Sequence, residues 1–319
     1  MTVKSNPTYI NSKEQAEIFF SLFDNFLLDC DGVIWYSETL IPGVDNFIKW
    51  LQANHKKFTF VTNNSSKTRA SYLEKFQQLG LTNITHDQIY TTGYAAVLEL
   101  KRLGILPGSK IWVLGDEGIE DELKIEGYIP LGGSDPRLNE EFYPKHPLLK
   151  VDPDVKAVVA GSTNAFNFLR TATTLQYLMH DDKRLPYIGT NGDRNYPGSD
   201  GLILPAGGSL VEHLAFCSDR DYINVGKPDV TLAETILMNT GFERGSTIMI
   251  GDTLTSDIKF GNDSQLGDGH GTMLVLSGGT SFNELTKLLD NPHHYKDGES
   301  LIPKFYADSL GSLIELLNE

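Results

Sequence analysis

The sequence predicts an α/β fold in which a parallel-sheet core carries an inserted, smaller α/β domain. Short apolar runs of the kind that form buried strands alternate with stretches of helical periodicity along nearly the whole chain. A second series of strands and helices interrupts the first, so the two parts of the core are separated in sequence. We therefore predict a core domain formed by residues 1–99 and 220–319 and an inserted domain formed by residues 100–219.

Apolar residues three or four positions apart indicate the helices, and short runs rich in Val, Ile and aromatic residues indicate the strands. The segment Ser12-Lys13-Glu14-Gln15 has the spacing of a capping box at the start of a first helix. The predicted strands begin at residue 26 and continue at 57–61, 88–91, 110–114, 155–160, 187–189, 222–225, 247–250 and 272–276. The predicted helices cover residues 44–51, 70–79, 94–103, 118–125, 166–179, 230–238 and 313–317, and another opens at 207–209.

The composition restricts what this protein can bind. Its 319 residues suggest roughly two domains, and a hydrophobic content of 40% is enough for buried cores. The chain has 27 Lys and Arg residues against 42 Asp and Glu residues, and no basic run that could follow a nucleic-acid backbone. We therefore expect neither nucleic acid nor a membrane as a partner. An acidic protein that binds an anion must neutralise it locally with a lysine, a metal ion or backbone N–H groups.

The cysteine count and the N-terminus predict a cytoplasmic protein. Cys30 and Cys217 are the only cysteines, too few for a disulfide framework, which makes a reducing compartment the simpler assumption. Residues 1–15 are polar and lack the basic-then-apolar pattern of a signal peptide. No apolar run approaches the roughly 18 residues that a membrane-spanning helix needs.

Two carboxylates follow the first strand of the predicted core. The run 26–35 reads FLLDCDGVIW, so Asp29 lies at the strand tip and Asp31 in the turn beyond it. Ligands of parallel α/β sheets bind outside the carboxyl ends of the strands. Two carboxylates this close raise the proton affinity of one of them and create a hard-oxygen site for Mg²⁺. The alternative is an ordinary surface turn, because Asp and Gly are common turn residues.

Polar residues also follow three further strands. Thr62, Asn63 and Asn64 end the strand at 57–61, where they could form an anion pocket or simply cap the next helix. Lys227 lies between a glycine and a proline, which favours a positioned ammonium over a solvated one. Asp252 ends an apolar strand as Asp29 does, and Asp257 follows at a predicted helix start, where it could serve only as a cap.

The inserted domain contains a polar loop at residues 189–198. Asn191, Asp193 and Tyr196 lie in this loop, which could be a lid over a pocket or a solvated turn. Its place at the end of a strand favours the lid. The segments 132–154 and 261–271 are interpreted as surface connections without an assigned function.

The four strand ends, taken in order, make the sequence resemble the haloacid dehalogenase superfamily of phosphatases. The matching motifs are Asp29-Cys30-Asp31-Gly32-Val33, Thr62-Asn63-Asn64, Lys227-Pro228 and Gly251-Asp252 followed by Asp257. Within it, the chain looks like the eukaryotic 4-nitrophenylphosphatase group, which includes phosphoglycolate and pyridoxal phosphatases. The resemblance implies a Rossmann-like parallel-sheet core with an inserted smaller α/β cap domain of the C2 type, and possible homodimers through that cap.

The resemblance also implies roles for the acidic residues. Asp29 would be the nucleophile that forms an aspartyl-phosphate, and Asp31 would act as acid and then as base. Mg²⁺ would be held by Asp29, Asp252 and the backbone carbonyl of Asp31, with Asp257 orienting the ligands. Lys227 would offset the charge between the nucleophile and the substrate.

The remaining implied roles concern substrate binding. Thr62, Asn63 and Asn64 would bind phosphoryl oxygens. The cap loop with Asn191 and Asp193 would lie over the leaving group, and its Tyr196 occupies the position where close relatives differ in substrate choice. We expect a Mg²⁺-dependent phosphatase of small metabolites such as 2-phosphoglycolate. A protein phosphatase and a non-catalytic phosphate-binding protein are the alternatives.

Overall fold

The computed structural model describes residues 6–197 and 202–318, and it consists of two compact units. The first contains the residues up to Thr62, Leu73–Tyr90 and the residues from Lys227 onward. The second contains Asn63–Tyr72 and Thr91–Gly226. The segment that follows Thr62 thus belongs to the unit that contains the inserted part of the chain. The domain bounds expected from the sequence stay a prediction, since compact units and domains need not coincide.

The described residues form the following strands and helices. The strands are Thr8–Tyr9 (β1), Asn25–Leu28 (β2), Trp35–Tyr36 (β3), Thr39–Leu40 (β4), Lys57–Thr62 (β5), Ile89–Thr91 (β6), Lys110–Leu114 (β7), Ile129–Gly132 (β8), Val155–Ala160 (β9), Tyr187–Gly189 (β10), Asn195–Pro197 (β11), Ile203–Pro205 (β12), Ile223–Asn224 (β13), Thr247–Gly251 (β14), Thr272–Val275 (β15) and Phe305–Ala307 (β16). The helices are Lys13–Leu22 (α1), Val44–Ala53 (α2), Arg69–Gln78 (α3), Thr92–Arg102 (α4), Glu117–Ile125 (α5), Phe168–Met179 (α6), Gly207–Ser218 (α7), Val230–Thr240 (α8), Lys259–Asp263 (α9), Phe282–Asp290 (α10) and Leu310–Asn318 (α11).

A parallel sheet organises the first unit, which confirms the predicted α/β class. Its strand order is β1-β16-β15-β14-β2-β5-β6. The central strand β2 pairs in parallel with β14 and β5, so that Leu28 lies beside Ile250 and Phe60. All four residues of β2 are buried, and three of them, residues 26–28, belong to the apolar run that predicted a buried strand. This register brings the carboxyl ends of β2, β14 and β5 to one edge of the sheet.

The second unit contains a sheet with the strand order β13-β10-β9-β7-β8. Its pairs are parallel, and the register aligns Val113 of β7 with Val159 of β9. The core beside this sheet includes Trp112, whose ring stacks on Tyr177 at a centroid distance of 4.4 Å. Buried apolar side chains on the strands and helices stabilise this unit at about 25 cal/mol per Å² of apolar area removed from water.

Several local features differ from the sequence prediction, among them the short strands β1, β3, β4 and β8, which were not predicted. Residues 195–197 of the expected polar loop form β11, which pairs with β12 in an antiparallel hairpin. Asp257 does not begin an α-helix but lies in a turn of π-helix, Leu254–Ile258. The expected surface connection at 132–154 is anchored, because the guanidinium of Arg170 donates to Gly133 O at 2.5 Å and to Asn139 Oδ1 at 2.9 Å.

The helices of the described residues contain at most 12 residues each. None of them combines the length and the apolar character that a transmembrane helix requires.

Candidate active site

Asp29 directly follows β2 and lies at the centre of a buried charged group in the first unit. Its backbone N–H donates to Ile250 O at 3.0 Å, which extends the parallel pairing to the strand tip. Its Oδ1 lies 2.6 Å from Lys227 Nζ. The ammonium also donates to Val61 O at 2.8 Å. Lys227 is only 2% exposed, so it is a positioned charge, as the flanking Gly226 and Pro228 indicated.

Asp257 links this lysine to the loop that carries Asp252. Its Oδ1 lies 2.7 Å from Lys227 Nζ. Its Oδ2 accepts hydrogen bonds from the backbone N–H groups of Asp252 at 3.1 Å and Thr253 at 3.0 Å. Asp257 therefore fixes the turn beyond β14 and also pairs with Lys227, so it does not serve only as a helix cap. We call Asp29, Lys227, Asp252 and Asp257 the carboxylate centre.

Glycines allow the chain to approach Asp252 closely. Its Oδ2 accepts a hydrogen bond from Gly279 N at 2.5 Å. A Cβ built on Gly32 would lie 2.2 Å from this oxygen, and one built on Gly278 would lie 2.0 Å from it. Gly32 also has φ +79°, a conformation that glycine adopts without steric cost. Any side chain at Gly32 or Gly278 would displace the carboxylate.

The carboxylate centre fits a divalent cation. One carboxylate oxygen from each of Asp29, Asp252 and Asp257 lies within 4.8 Å of the others. Carboxylate oxygens are the ligands that Mg²⁺ and Ca²⁺ prefer. Three carboxylates and the ammonium of Lys227 leave an excess of negative charge, which a bound divalent cation would offset.

Burial and the neighbouring charges together shift the pKa values of three residues in the carboxylate centre. The pKa of Asp252 is raised to about 6, first by burial and then by the neighbouring carboxylate of Asp257. Burial also raises the pKa of Asp29 well above its ordinary value, and although Lys227 opposes the shift, the two other carboxylates add to it. For Lys227 itself, burial disfavours the charge, but the carboxylates of Asp257 and Asp29 outweigh burial and raise its pKa. The lysine therefore stays charged.

Asp31 lies in a tight loop just beyond the strand tip. The carbonyl of Cys30 accepts hydrogen bonds from the N–H groups of Val33, Ile34 and Trp35, which closes the loop. The Asp31 side chain is exposed, and its Oδ1 accepts a hydrogen bond from Trp35 Nε1 at 2.9 Å. It is not part of the three-carboxylate group found among the described residues. A role for its backbone carbonyl in metal binding stays a prediction.

The predicted phosphate-binding residues are divided between the units. Thr62 is buried as the last residue of β5 in the first unit. Asn63 and Asn64 belong to the second unit. Helix α3 is capped by Thr68, whose Oγ1 accepts from Ser71 N at 3.1 Å. The asparagines are therefore not needed as caps for this helix.

Asn63 lies among the predicted cap-loop residues of the second unit. Its Nδ2 donates to Asp193 Oδ2 at 3.2 Å. Its carbonyl accepts from Asn191 Nδ2 at 3.2 Å and from Thr92 Oγ1 at 3.1 Å. Asp193 N donates to Asn191 Oδ1 at 2.6 Å. We call Asn63, Asn191 and Asp193 the amide cluster.

Asn64 and Tyr196 lie outside the amide cluster as defined. Asn64 Oδ1 accepts hydrogen bonds from Ser66 N at 2.8 Å and Ser66 Oγ at 2.7 Å. Tyr196 is placed in β11, but its side chain lies outside the part of the chain that the structure describes. Substrate roles for both residues stay predictions.

Two contributors to this site, Gly279 and Trp35, were not predicted from the sequence. Gly279 supplies a backbone N–H to Asp252, and Trp35 supplies an indole N–H to Asp31. A signal for the glycine was present, because the pair Gly278-Gly279 follows the apolar run of β15. The indole contact had no comparable signal, since a tryptophan after an apolar run is usually a core residue.

The chain is similar to known hydrolases over nearly its whole length. A family model described as haloacid dehalogenase-like hydrolase matches residues 26–129, and a HAD-hydrolase-like model matches residues 224–300. Phosphoglycolate phosphatase 2 of Arabidopsis thaliana is 34% identical over 98% of this chain and 98% of its own. The 4-nitrophenylphosphatase of Schizosaccharomyces pombe is 34% identical over 96% and 98%.

A solved structure supports the same assignment. The p-nitrophenyl phosphatase from Archaeoglobus fulgidus aligns with a TM-score of 0.75 and 26% identity, covering 92% of this chain and 98% of its own. The resemblance inferred from the four motifs is thus confirmed over nearly the whole chain. The protein belongs to the haloacid dehalogenase-like hydrolases.

Proposed function

We propose that this protein is a metal-dependent phosphomonoesterase that hydrolyses small phosphorylated metabolites through an aspartyl-phosphate on Asp29. The observation that carries the proposal is the position of Asp29 at a strand tip, 2.6 Å from a buried ammonium and beside two further carboxylates. A carboxylate in this setting is held as a nucleophile, and the positive charge of Lys227 beside it attracts a phosphoryl group. Full-length relatives that are phosphatases support the reaction class.

In the first step, a carboxylate oxygen of Asp29 attacks phosphorus. The new bond joins this oxygen to phosphorus, and the bond from phosphorus to the ester oxygen breaks. Asp31 donates a proton to the leaving oxygen, which departs as an alcohol. Lys227 stabilises the charge on Asp29 and on the transferred group, because its ammonium is fixed by Val61 O and Asp257.

In the second step, water cleaves the aspartyl-phosphate. Asp31, now a carboxylate, takes a proton from the water as its oxygen bonds to phosphorus. The bond between phosphorus and the Asp29 oxygen breaks, which releases inorganic phosphate and restores the carboxylate. The same residue thus serves as acid and as base, and the enzyme returns to its starting protonation state.

The proposed metal ion is Mg²⁺, held by Asp29 and Asp252 and oriented through Asp257. Bound there, a divalent cation would neutralise phosphoryl oxygens and the excess charge of the carboxylates. The three carboxylates that are brought together support this choice of residues. Divalent metal dependence agrees with the oxygen-only ligand set, while the choice of Mg²⁺ over other hard cations rests on its preference for phosphate substrates.

The proposed substrates are small phosphate esters of the 2-phosphoglycolate type, with 4-nitrophenyl phosphate as an artificial substrate. Two relatives named for these activities, each 34% identical over nearly the whole chain, support the proposal. We also propose that the amide cluster and Tyr196 contribute to substrate choice, and that Thr62, Asn63 and Asn64 bind phosphoryl oxygens. A cytoplasmic location, homodimers through the inserted domain and the absence of nucleic-acid partners stay predictions from the sequence.

The test compares the wild type with Asp29→Asn in the presence of Mg²⁺. We expect the variant to keep its melting temperature within a few degrees and to lose hydrolysis of 4-nitrophenyl phosphate by about 10³-fold or more. Undiminished hydrolysis in the folded variant would contradict the nucleophile. A panel of phosphorylated metabolites ranked by kcat/KM then identifies the substrate class.

The same panel separates the alternatives. A protein phosphatase would hydrolyse a phosphopeptide faster than a phosphorylated two- or three-carbon acid. A non-catalytic binding protein would bind phosphate without turnover of any substrate. The second alternative conflicts with the complete set of motif residues, since each of Asp29, Asp31, Lys227 and Asp252 is present.

A further inference from the structure

The side chain of Trp35 contacts Asp31, the proposed acid and base. Its indole is fully buried, at 0% exposure, and the N–H points to Asp31 Oδ1 at 2.9 Å. A buried tryptophan usually directs its N–H to some acceptor. Here the acceptor is the exposed carboxylate proposed as acid and base, so the contact joins the core of the first unit to a reacting group.

The backbone reinforces this contact. Gly32 N donates to Trp35 O at 2.8 Å, and Asp31 and Trp35 form a β-bridge. The N–H of Trp35 itself donates to Cys30 O at 3.3 Å. The loop that carries Asp31 is therefore closed on Trp35 by main-chain and side-chain hydrogen bonds together.

Lys75 lies on the face of the same indole. Its Nζ is 4.1 Å from the ring centroid, within the range of a cation–π interaction. The ammonium is held in place because it donates to Ser37 O at 2.6 Å, in the turn between β3 and β4. A cation over an indole ring polarises the N–H and makes it a stronger donor. Phe76 packs against Trp35 at a centroid distance of 5.0 Å and limits its movement.

We propose that Trp35, backed by Lys75, is a positioning residue that fixes which oxygen of Asp31 exchanges the proton. An indole N–H is a donor only, so Oδ1 must act as its acceptor. Oδ2 is then the oxygen left to face a reacting group, because no described residue forms a hydrogen bond with it. Oδ2 is the atom that protonates the leaving oxygen and later deprotonates water. This inference rests on the proposed phosphatase function.

If Trp35 positions Asp31, the loss of Trp35 should slow hydrolysis to an extent that depends on the leaving group. A misaligned acid slows the release of a basic leaving group more than that of a weakly basic one. Phenyl phosphate and 4-nitrophenyl phosphate are suitable probes, because they have similar shapes while phenolate is much more basic than 4-nitrophenolate. The parameter kcat/KM includes the step in which the ester bond breaks, so the ratio of the two kcat/KM values reports on the acid.

The experiment uses Trp35→Phe, which keeps an aromatic ring and removes the N–H. We expect the kcat/KM ratio of phenyl phosphate to 4-nitrophenyl phosphate to fall about tenfold. Lys75→Met should lower the ratio in the same direction by about threefold. Competitive inhibition by inorganic phosphate should stay within about twofold of the wild type, because neither change removes a proposed phosphate contact.

Trp112→Phe is the matched control. Trp112 is also a buried tryptophan, 3% exposed, and its Nε1 donates to Thr174 Oγ1 at 2.9 Å within the second unit. The same substitution there should leave the ratio unchanged, whatever it does to stability.

The outcomes are distinguishable. An unchanged ratio in folded Trp35→Phe, or an equal loss of both rates, would mean that the residue is only structural and would overturn the proposal. If Trp35→Phe does not fold, an unchanged ratio in Lys75→Met would overturn it instead. A wild type that hydrolyses neither ester would contradict the proposed function itself, which is a different result from an unchanged ratio.

Discussion

The carboxylate centre and the amide cluster differ in how their polar side chains are paired. In the centre, the carboxylates of Asp29 and Asp257 contact one ammonium at 2.6 and 2.7 Å, and burial raises the pKa of the neighbouring Asp252 to about 6. In the cluster, Asn63 and Asn191 form hydrogen bonds with backbone atoms, and Asn63 also donates to the side chain of Asp193. The centre has three carboxylates and only one ammonium to offset them. In the cluster, by contrast, most of the described hydrogen bonds join its own members.

This difference indicates what each region contributes. Unbalanced buried charge is costly and persists where a ligand or a reaction uses it. Satisfied amide hydrogen bonds cost little and fix a conformation. We therefore assign the chemical steps to the carboxylate centre, and we expect the amide cluster to affect substrate binding. The following predictions separate these two assignments.

Removal of the metal should have the largest effect. EDTA is expected to abolish hydrolysis and added Mg²⁺ to restore it, because the centre otherwise keeps an excess of negative charge. Binding should also be visible without turnover. A saturating Mg²⁺ concentration should raise the melting temperature of the metal-free protein by roughly 5 °C.

Asp252→Asn provides the control for metal binding. The amide oxygen can still accept from Gly279 N, so the loop is retained while one charged ligand is lost. The Mg²⁺-dependent rise in melting temperature should become much smaller in this variant. Full activity in EDTA, or an equal rise in both proteins, would show that the cation does not bind at the carboxylate centre.

The longer apolar strands and the acidic residues that follow them could be located from the sequence for a physical reason. Strands β7, β9 and β10 are buried apolar runs bounded by polar turns, and such runs have few alternative structures. Asp29 and Asp252 could be located because each directly follows such a strand. Parallel pairing then places neighbouring strand ends together without any further information.

The amide cluster could not be predicted in the same way. The contact between Asn63 and Asp193 joins residues 130 positions apart, and nothing local in either segment specifies the partner. The hairpin of β11 and β12 was also missed, since residues 195–197 are polar and their pairing depends on the returning strand. The contact from Gly279 N to Asp252 spans 27 positions and involves a backbone group, which has no sequence signature of its own.

After removal of the metal, Lys227→Met should have the next largest effect on hydrolysis. The variant removes the ammonium that contacts Asp29 and Asp257 and keeps most of the aliphatic chain. We expect kcat to fall by about 10²-fold, because the transferred phosphoryl group loses a fixed positive charge. Without metal, the free energy of unfolding should fall by about 3–5 kcal/mol, since buried carboxylates lose their partner. Kinetics and urea unfolding measure the two effects.

Lys259→Met is the matched control for this charge. Lys259 Nζ also lies between two carboxylates, Asp263 Oδ2 at 2.7 Å and Asp297 Oδ2 at 3.2 Å, but this group is more exposed and is not in the carboxylate centre. Its loss should change stability by less than about 1 kcal/mol and leave kcat unchanged. An equal fall of kcat in both variants would mean that the lysine at the centre acts through stability alone.

Asn63→Ala should have the smallest effect, and a different kind of effect. It removes the donor to Asp193 and a proposed phosphoryl contact, but no charge from the centre. We expect KM for a phosphate ester to rise about tenfold while kcat changes less than threefold, which is the pattern of lost binding in ground and transition states.

Asn262→Ala is the control, because Asn262 Nδ2 donates only to the backbone carbonyls of Ser300 and Ile302. That change should lower the melting temperature and leave KM unaltered. A fall of kcat in Asn63→Ala as large as in Lys227→Met would remove the distinction between the two regions, because an amide that merely binds substrate cannot control the chemical step to the same extent as the charge beside the nucleophile.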